Sequence, residues 1–399
     1  MSPSFEHPDH YMALNVLTPF NPPLSGEHRV FDRERADEVD RRHQLLVEYL
    51  RIKGLDALLL QSPQMFSWMT CGADNQRPGV GSLAAILITE EARVVLCQQA
   101  DSPQLFDREL HGLGFQQKER PWTEDPRQLW QDVTRGRKVG CDGLYPGTDC
   151  IQHELLDFRL RLSQRDLDQY RELGRHVTHA VEATARSLQQ RDTEQEIAGH
   201  LAHRLWRHGV EPVQIQVLAD GQGHRYRTWS ASSDRVERHC VIAVTARRNG
   251  LHVSVSRTIT FGAPSEEIQD TFDVATLLQA TGMFFSQAGW IVSETWQRVA
   301  RMYEKFGIPN EWRLAEQAEF VGYGPCEDRL TPQSTREIPS GAAIHWHPSV
   351  RSALVSDTML VHANGREVIT PPENWPSLVV KVKGAEFQRP AILIREVER

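Results

Sequence analysis

The chain has 399 residues, of which 40% are hydrophobic and 25% charged, a composition typical of a folded globular protein with room for two domains. A formal net charge of -8 without a basic cluster argues against nucleic-acid binding, which needs a concentrated Lys and Arg surface. The longest apolar run, 83–88, is far shorter than the roughly 20 residues of a membrane span, and the N-terminus lacks the basic and apolar parts of a secretion signal, so we expect a cytoplasmic protein without membrane contact.

The region from residue 36 to residue 160 has the alternating helix and strand pattern of an α/β domain. Apolar residues recur at helical spacing over 36–53, and Gly54 follows as a predicted C-cap. Short apolar runs bounded by turn residues predict strands over 55–61, 83–88, 93–97 and 138–142. We therefore expect an N-terminal extension over 1–35 and an α/β domain over 36–160.

From residue 161 the sequence changes to long helices followed by hairpins, which predicts a second domain over 161–399. Two segments, 192–212 and 292–311, form a weak repeat in which a Thr or Ser cap followed by Glu opens a helix that runs into Gly and an extended stretch. This repeat predicts an α+β domain with pseudo-twofold symmetry. A ligand pocket is expected between its two halves, on the open side of the sheet.

The segment VIAVTARRNGLHVSVSRT, residues 241–258, predicts a β-hairpin with Asn249-Gly250 as its two-residue turn. Apolar residues alternate on both sides of that turn, as in strands with one buried face. Strand alternation directs four side chains, none of them acidic, toward the expected pocket: Ala243, His252, Ser254 and Ser256.

Four segments in this order resemble the family of creatinase, prolidase, aminopeptidase P and methionine aminopeptidase, which shares the pita-bread fold. The linker and first long helix of that family resemble LRLSQRDLDQYREL, and its metal-binding hairpin resembles ARRNGLHVSVSRTITFG. Its two late strands resemble IPSGAAIHWHPSV and ALVSDTMLVHANGREVIT. The resemblance covers about residues 36–385 and implies a creatinase-type α/β domain in front of an α+β pita-bread domain.

The resemblance also implies a dinuclear metal site, since members of this family hold two ions with two Asp, one His and two Glu side chains. Followed through the motifs, these ligand positions fall on Ala243, Ser254, Tyr323, His347 and Ser356. None of these side chains is a bridging carboxylate, so we expect no catalytic metal and no cofactor. A mononuclear set of His345, His347 and Asp357 is expected to fail, because strand alternation puts Asp357 out of phase.

His347 is the best candidate for proton transfer, because histidine titrates near neutral pH and this position is central to the family's site. A hydrogen-bonded core histidine is the alternative. Tyr323 and Glu327 complete the predicted catalytic set, and Glu327 or Asp328 is expected to hold a cationic substrate or to orient His347, unless both carboxylates are merely solvated. The other predicted substrate-binding residues are Arg77, His224, Arg227, His252, Ser254, His345 and Ser356.

Three of these assignments rest on the resemblance to creatinase. The loop DGQGHRYRTWS, which contains His224 and Arg227, corresponds to the loop that carries the creatinase base. Arg77-Pro78 resembles a pair that reaches into the neighbouring subunit and grips a substrate carboxylate, and a solvated loop arginine is the alternative. We therefore expect a homodimer. Arg257 resembles the family's structural arginine, which implies a buried ion pair.

Two functions follow from the sequence and stay open at this point. The first is a metal-independent hydrolase that acts on a C–N bond of a small amino-acid-like or amidine-like compound. The second is a catalytically inactive pseudo-peptidase that binds a small ligand or a peptide in the same cleft. Convergence of His347, Tyr323 and Glu327 within hydrogen-bond reach favours the enzyme, and an infilled cleft favours the binding protein.

Overall fold

A computed structural model describes residues 31–77, 81–221 and 230–396 of the protein. Across these ranges no helix combines the length and the apolar character needed to cross a membrane.

The first part of the chain is a mixed sheet with helices packed against it. Its sheet has six strands in the order β6-β5-β4-β1-β7-β8, with β1 antiparallel to β4 and parallel to β7. The helices are α1 (Arg33–Lys53), α2 (Pro63–Met69), α3 (Ser102–Gln104, continued by the π-helical segment Leu105–Glu109), α4 (Pro126–Thr134) and α5 (Gln152–Arg159). The strands are β1 (Ala57–Leu60), β2 (Gln76–Arg77), β3 (Gly81–Ser82), β4 (Ala84–Ile88), β5 (Arg93–Gln98), β6 (Gln116–Arg120), β7 (Val139–Cys141) and β8 (Asp149–Cys150).

Helix α1 ends as the sequence predicts and begins slightly earlier. Gly54 adopts the left-handed conformation, with φ of 61°, and its N–H reaches the last carbonyls of the helix. At the other end the side chain of Asp32 accepts a hydrogen bond from the backbone N–H of Arg35 at 2.9 Å. This cap starts the helix at Arg33, three residues before the predicted 36.

The second part contains two sheets and the long helices. One sheet has the order β21-β11-β10-β9 and the other the order β13-β12-β14-β17-β18, while β15-β16 and β19-β20 are separate pairs. The helices are α6 (Gln164–Ser187), α7 (Glu194–Trp206), α8 (Glu266–Phe285) and α9 (Val292–Lys305), with a 3₁₀ turn over Glu311–Leu314. The strands are β9 (Glu211–Ala219), β10 (His239–Arg248), β11 (Leu251–Phe261), β12 (Ala318–Val321), β13 (Asp328–Arg329), β14 (Ala343–Trp346), β15 (Ser349–Val350), β16 (Ala353–Leu354), β17 (Asp357–His362), β18 (Gly365–Val368), β19 (Ser377–Val382), β20 (Ala385–Pro390) and β21 (Leu393–Arg395).

The two halves of this second part repeat one arrangement of helices and strands. Helices α6 and α7 precede β9, β10 and β11, and helices α8 and α9 precede β12, β14 and β17. In each half an isolated β-bridge forms at the residue just before the second helix. It joins Thr193 to Arg235 before α7, and Ile291 to Glu337 before α9. The predicted repeat is therefore present in three dimensions.

The predicted caps of the repeat hold in one half only. Thr193 and Glu196 form a capping box at the start of α7. Helix α9 begins at Val292 with Ile291 as its N-cap and without a side-chain cap, so Ser293 lies inside the first turn. The prediction that Ser293 caps this helix was wrong, because the backbone bridge at Ile291 determines where the helix begins.

The predicted hairpin is formed by β10 and β11. Asn249 and Gly250 both have positive φ, at 50° and 75°, as a two-residue turn of type I′ requires. A side chain at Gly250 would also collide with α2 of the first part, since its Cβ would lie 2.5 Å from the Cβ of Ser67. The turn therefore fixes the hairpin register and lets the two parts of the chain approach closely.

Strands β11 and β17 join the two sheets of the second part. The backbone N–H of Ser256 donates to the carbonyl of Ser356 at 2.9 Å. Beside this contact, buried Arg257 pairs with Glu182 and with Asp357, each at 3.1 Å. The expected buried ion pair of Arg257 is confirmed, and it ties α6 to both sheets.

Two buried histidines predict that the protein loses stability in mild acid. Burial, helped by the charge of Arg247, lowers the pKa of His252 to about 3, and burial lowers that of His239 to about 4. The unfolded chain takes up protons below about pH 6.5 while these folded side chains stay neutral, so stability is full above that pH and falls toward pH 4. Each histidine then lowers the free energy of unfolding by about 1.4 kcal/mol per pH unit.

Urea unfolding at several pH values checks this expectation. His252→Gln should flatten the pH dependence between about pH 6.5 and 4, since one of the two titrations is removed. His200→Gln, at an exposed histidine, should keep the slope of the parent protein. Equal slopes for the parent and His252→Gln would contradict the assignment.

Candidate functional site

A small cavity lies between the two halves of the second part and has a volume of about 170 Å³. Its polar lining comes from the β9–β11 sheet on one side and from β12, β14 and the segments that follow them on the other. Among the residues that line it are Gln214, Gln216, Ala243, Thr245, Ser254, Glu316, Glu319, His345, His347, Ser349, Arg351 and Ser356.

The centre of this cavity wall is the carboxylate of Glu319, which contacts two histidines. Its Oε1 lies 2.7 Å from Nδ1 of His345, and its Oε2 lies 2.7 Å from Nε2 of His347. The two rings are stacked, with centroids 4.4 Å apart and an angle of 15° between their planes. Glu319 and His345 are direct partners in the register of β12 and β14, so backbone pairing sets this contact.

Ser356 extends this contact into a chain of three groups. Its Oγ lies 2.6 Å from Nε2 of His345. Because Nδ1 of His345 faces a carboxylate, that nitrogen carries the hydrogen and donates it, which leaves Nε2 of the neutral ring to accept the Ser356 hydroxyl. A hydroxyl, an imidazole and a carboxylate in this order form a nucleophile, a base and an orienting group.

The charges at this cluster differ between the two histidines. Burial alone would raise the pKa of Glu319, but the charges of His347 and His345 and their hydrogen bonds hold it well below its usual range. Burial, together with the charge of His347, lowers the pKa of His345. Burial works against a charged His347, yet the Glu319 carboxylate raises its pKa above the usual value. His347 is therefore the more readily protonated of the two rings, and His345 the more readily neutral one.

The positions that the resemblance assigns to metal ligands do not fit a dinuclear site. Ala243 has no donor atom, and the Ser254 hydroxyl is shared with Thr245 Oγ1 at 2.8 Å. Ala243, Ser254, His347 and Ser356 do line one cavity, as predicted, but they bring no carboxylate to it. Two divalent ions need bridging carboxylates, which these positions do not supply.

Tyr323, which the sequence predicts as part of the catalytic set, is not among the described residues that line the cavity. Its hydroxyl donates to Asp166 Oδ1 at 2.7 Å and accepts from Arg42 Nη1 at 3.0 Å. Arg42 also pairs with Asp166 and is completely buried, so the three side chains link α1 to α6. A neighbouring buried ion pair thus directs the phenol away from the pocket.

Glu327 and Asp328 do not orient His347, because each has another cationic partner. Glu327 is buried and pairs with Arg159 at 2.7 Å. Asp328 pairs with Arg336 at 2.9 Å. Neither Glu327, predicted as catalytic, nor Asp328, predicted as substrate-binding, lines the cavity, and Glu319 is the carboxylate beside His347.

His252 and Asp357 also face away from the cavity. Nδ1 of His252, predicted as a substrate-binding residue, lies 3.4 Å from the carbonyl of Gly322, and the ring is buried. Asp357 is fully buried between Arg257 and Arg389. The expectation that Asp357 cannot join His345 and His347 in a metal site agrees with this placement.

The remaining predicted residues have different outcomes. His224 and Arg227 lie outside the described residues. Arg77 is half-exposed and pairs with Asp101 of its own chain, so its action on a neighbouring subunit stays a prediction.

Glu319 is the residue of this candidate site that sequence reasoning missed. It is a single acidic residue in a short apolar strand, AEFV, and its side chain is only 12% exposed. A charged residue on the buried face of a strand indicates a partner, and this signal was present in the sequence. The partner was not identifiable, because β12 and β14 are separated along the chain.

Comparisons with known proteins agree with this architecture. Residues 168–363 match the model of metallopeptidase family M24. The Xaa-Pro dipeptidase of Pyrococcus furiosus is 20% identical over 232 residues, which are 56% of this chain and 66% of that protein, slightly less than two thirds of its length.

Solved structures are similar over most of the chain. The X-Pro aminopeptidase of Thermotoga maritima has a TM-score of 0.73 at 16% identity, over 89% of this chain and 99% of that one. The prolidase of Pyrococcus horikoshii has a TM-score of 0.70 at 17% identity, over 85% and 99%. The N-terminal domain of the FACT complex subunit SPT16 from chickpea has a TM-score of 0.68 at 12% identity, over 86% and 98%. The predicted α/β domain and α+β pita-bread domain are confirmed.

The placement of Tyr323 predicts a structural role for its hydroxyl. Tyr323→Phe leaves buried Asp166 and Arg42 each with one hydrogen bond fewer, which should lower the free energy of unfolding by roughly 1–3 kcal/mol. Tyr145→Phe is the control, since its hydroxyl contacts the carbonyl of Arg127 at 3.3 Å at the protein surface, and its effect should be smaller. Denaturant unfolding measures both, and an unchanged stability of Tyr323→Phe would show that this linkage contributes little.

Proposed function

We propose that the cavity of this chain, whose residues 168–363 match the model of metallopeptidase family M24, is the active site of a hydrolase that cleaves a C–N bond without a catalytic metal. The substrate class is a small amino-acid-like or amidine-like compound. Ser356 is the nucleophile, His345 the general base and Glu319 the group that orients His345.

A single observation carries this proposal, namely the chain of hydrogen bonds from Ser356 through His345 to Glu319. The two contacts are 2.6 Å and 2.7 Å long and involve opposite nitrogens of one imidazole. A serine hydroxyl is a poor nucleophile unless an adjacent base removes its proton. The same order of groups activates serine on several unrelated folds, so the geometry matters more than the sequence position.

The reaction proceeds through an acyl-enzyme. Ser356 Oγ attacks the electrophilic carbon while its proton passes to Nε2 of His345. This attack forms the bond between Oγ and that carbon and gives a tetrahedral intermediate. The C–N bond then breaks as His345 gives that proton to the leaving nitrogen. Water attacks the acyl carbon, His345 accepts a proton from it, and the serine oxygen leaves with that proton.

His347 supplies positive charge rather than the transferred proton. Its ring is stacked on His345, pairs with Glu319 and lines the cavity, so its charge lies beside the atoms where negative charge develops. The sequence alone indicated His347 as the acid-base group. The contact with a hydroxyl favours His345 for that role instead.

The cavity lining supports a small and polar substrate. Neutral hydrogen-bonding side chains, Gln214, Gln216, Thr245 and Ser254, cover one wall. A volume of about 170 Å³ suits a compound of the size of an amino acid better than a long peptide. A dipeptide of the Xaa-Pro type, the substrate in the name of a relative, is the longer compound against which a single amino acid can be compared as substrate.

The alternative is a protein that only binds its ligand, and two observations favour it. The convergence of His347, Tyr323 and Glu327 that would favour the enzyme is not formed, because Tyr323 and Glu327 pair with other residues. Ser356 is 3% exposed, so the substrate reaches its hydroxyl only from inside the small cavity. A binding protein would retain small ligands in this cavity and would not form a covalent intermediate.

Labelling with a small fluorophosphonate distinguishes these functions without knowledge of the substrate. An activated Ser356 attacks phosphorus and displaces fluoride, so intact mass spectrometry should show one adduct per chain. Ser356→Ala should abolish the adduct, and His345→Gln should slow its formation by roughly 10²- to 10⁴-fold. Excess chelator should leave the rate of the metal-free protein unchanged.

Ser256→Ala is the matched control for this experiment. Ser256 lies on the neighbouring strand, where its hydroxyl donates to the carbonyl of Leu354 at 3.2 Å and contacts no histidine. This variant should label like the parent protein. Absence of an adduct in the parent, with retention of a small ligand, would replace the hydrolase with the binding function.

We also propose, from the resemblance to creatinase, that the protein is a homodimer in which Arg77 approaches the partner's cavity. Half-exposed Arg77 has a guanidinium available for a second contact beside its pair with Asp101. Sedimentation at micromolar concentration should give twice the mass of the chain, and Arg77→Gln should leave that mass unchanged. A monomer would remove the basis for a role of Arg77 in a neighbouring subunit.

A further inference from the structure

We propose that Glu319, His345 and His347 form a mononuclear site for a first-row divalent cation such as zinc, and that occupancy of this site switches the hydrolase off. The site differs from the dinuclear site that the family resemblance implies, since two of its three ligands lie outside those positions. Cation binding itself does not depend on the proposed hydrolase, whereas its inhibitory effect does.

The geometry of the three side chains suits one ion. One ligand atom from each residue, a carboxylate oxygen of Glu319, Nδ1 of His345 and Nε2 of His347, lies within 4.8 Å of the others. Zinc binds nitrogen and oxygen at about 2.0–2.2 Å, so tetrahedral ligands are about 3.4 Å apart. The three atoms already lie within 4.8 Å of one another, so binding requires small shifts of these side chains, and the ion replaces the two hydrogens that Glu319 accepts.

The donor set selects the class of cation. Two imidazoles and one carboxylate bind zinc, iron(II) or cobalt(II), whereas magnesium and calcium prefer oxygen ligands. The three ligands all lie on one wall of the cavity, so the remaining coordination positions face the cavity and are open to water or a small ligand.

The surrounding structure holds the ligands in place. Glu319 and His345 are paired across neighbouring strands, and the backbone N–H of His347 donates to the carbonyl of Gln317 at 2.9 Å. Nε2 of His345 contacts the Ser356 hydroxyl, which is the kind of outer contact that orients a metal-bound histidine.

The inhibitory effect follows from the two nitrogens of His345. The neutral ring of His345 carries one N–H hydrogen, and a cation bound to Nδ1 leaves only Nε2 to hold it. Nε2 then donates to the Ser356 hydroxyl instead of accepting from it. The hydroxyl loses its base, and Glu319 no longer orients the ring. The same three side chains therefore serve either the cation or the serine, but not both.

Cobalt(II) titration of protein freed of metal by chelator tests binding directly. Visible absorption should show one four- or five-coordinate ion per chain, and zinc should displace it. Glu319→Gln and His347→Gln should each weaken binding by at least about 100-fold, more than the loss of an outer-shell contact. Ser356→Ala should still bind cobalt, because its hydroxyl is not a ligand.

His362→Gln controls for adventitious binding, since His362 and Glu367 form a half-exposed pair far along the same sheet, 3.1 Å apart. Circular dichroism identifies any variant that fails to fold, and the titration of the parent protein alone remains decisive. Less than one cobalt per chain in the parent protein, or full binding by a folded Glu319→Gln variant, would overturn the site.

The inhibitory effect is tested by fluorophosphonate labelling, which should slow at least 100-fold with one equivalent of zinc and recover with chelator. Cobalt binding without any labelling refutes only the hydrolase. Undiminished labelling of the zinc-loaded protein refutes the switch.

Discussion

The cavity depends on one buried carboxylate and its need for partners. Glu319 is 12% exposed, and a charge that is so far removed from water is stable only when hydrogen-bonded donors surround it. Its two oxygens meet this need by accepting from His345 and His347. That pairing stacks the rings, determines which nitrogen of His345 faces Ser356, and holds the ring of His347 at the cavity wall.

Other charged and polar groups near the cavity are occupied in holding the fold together. Asp357 is enclosed by Arg257 and Arg389, and the hydroxyl of Tyr323 completes the buried pair of Arg42 and Asp166. Breaking such a pair leaves an uncompensated buried charge, which costs several kcal/mol, roughly 3–5. These residues therefore hold structural elements together, whereas Glu319, the two histidines and Ser356 are the residues to which the proposed function assigns the chemistry.

Local signals in the sequence were reliable wherever a few neighbouring residues control the backbone. Gly54 ends α1, Asn249-Gly250 makes the hairpin turn, and Thr193 caps α7, because each depends on contacts within a few positions. The cap expected at Ser293 was wrong for the opposite reason. A backbone bridge from Ile291 to a distant segment determines where that helix begins.

The sequence by itself determined the pita-bread fold, the hairpin and the lack of carboxylates at Ala243, Ser254 and Ser356, since motifs and alternation report which residues share a strand face. Only the tertiary structure decided that Glu319 meets His345, which is 26 positions away, and that Tyr323 leaves the cavity. Strand pairing at that separation depends on the register of β12 against β14. The direction of Tyr323 depends on an ion pair between α1 and α6, and neither interaction leaves a periodic signal along the chain.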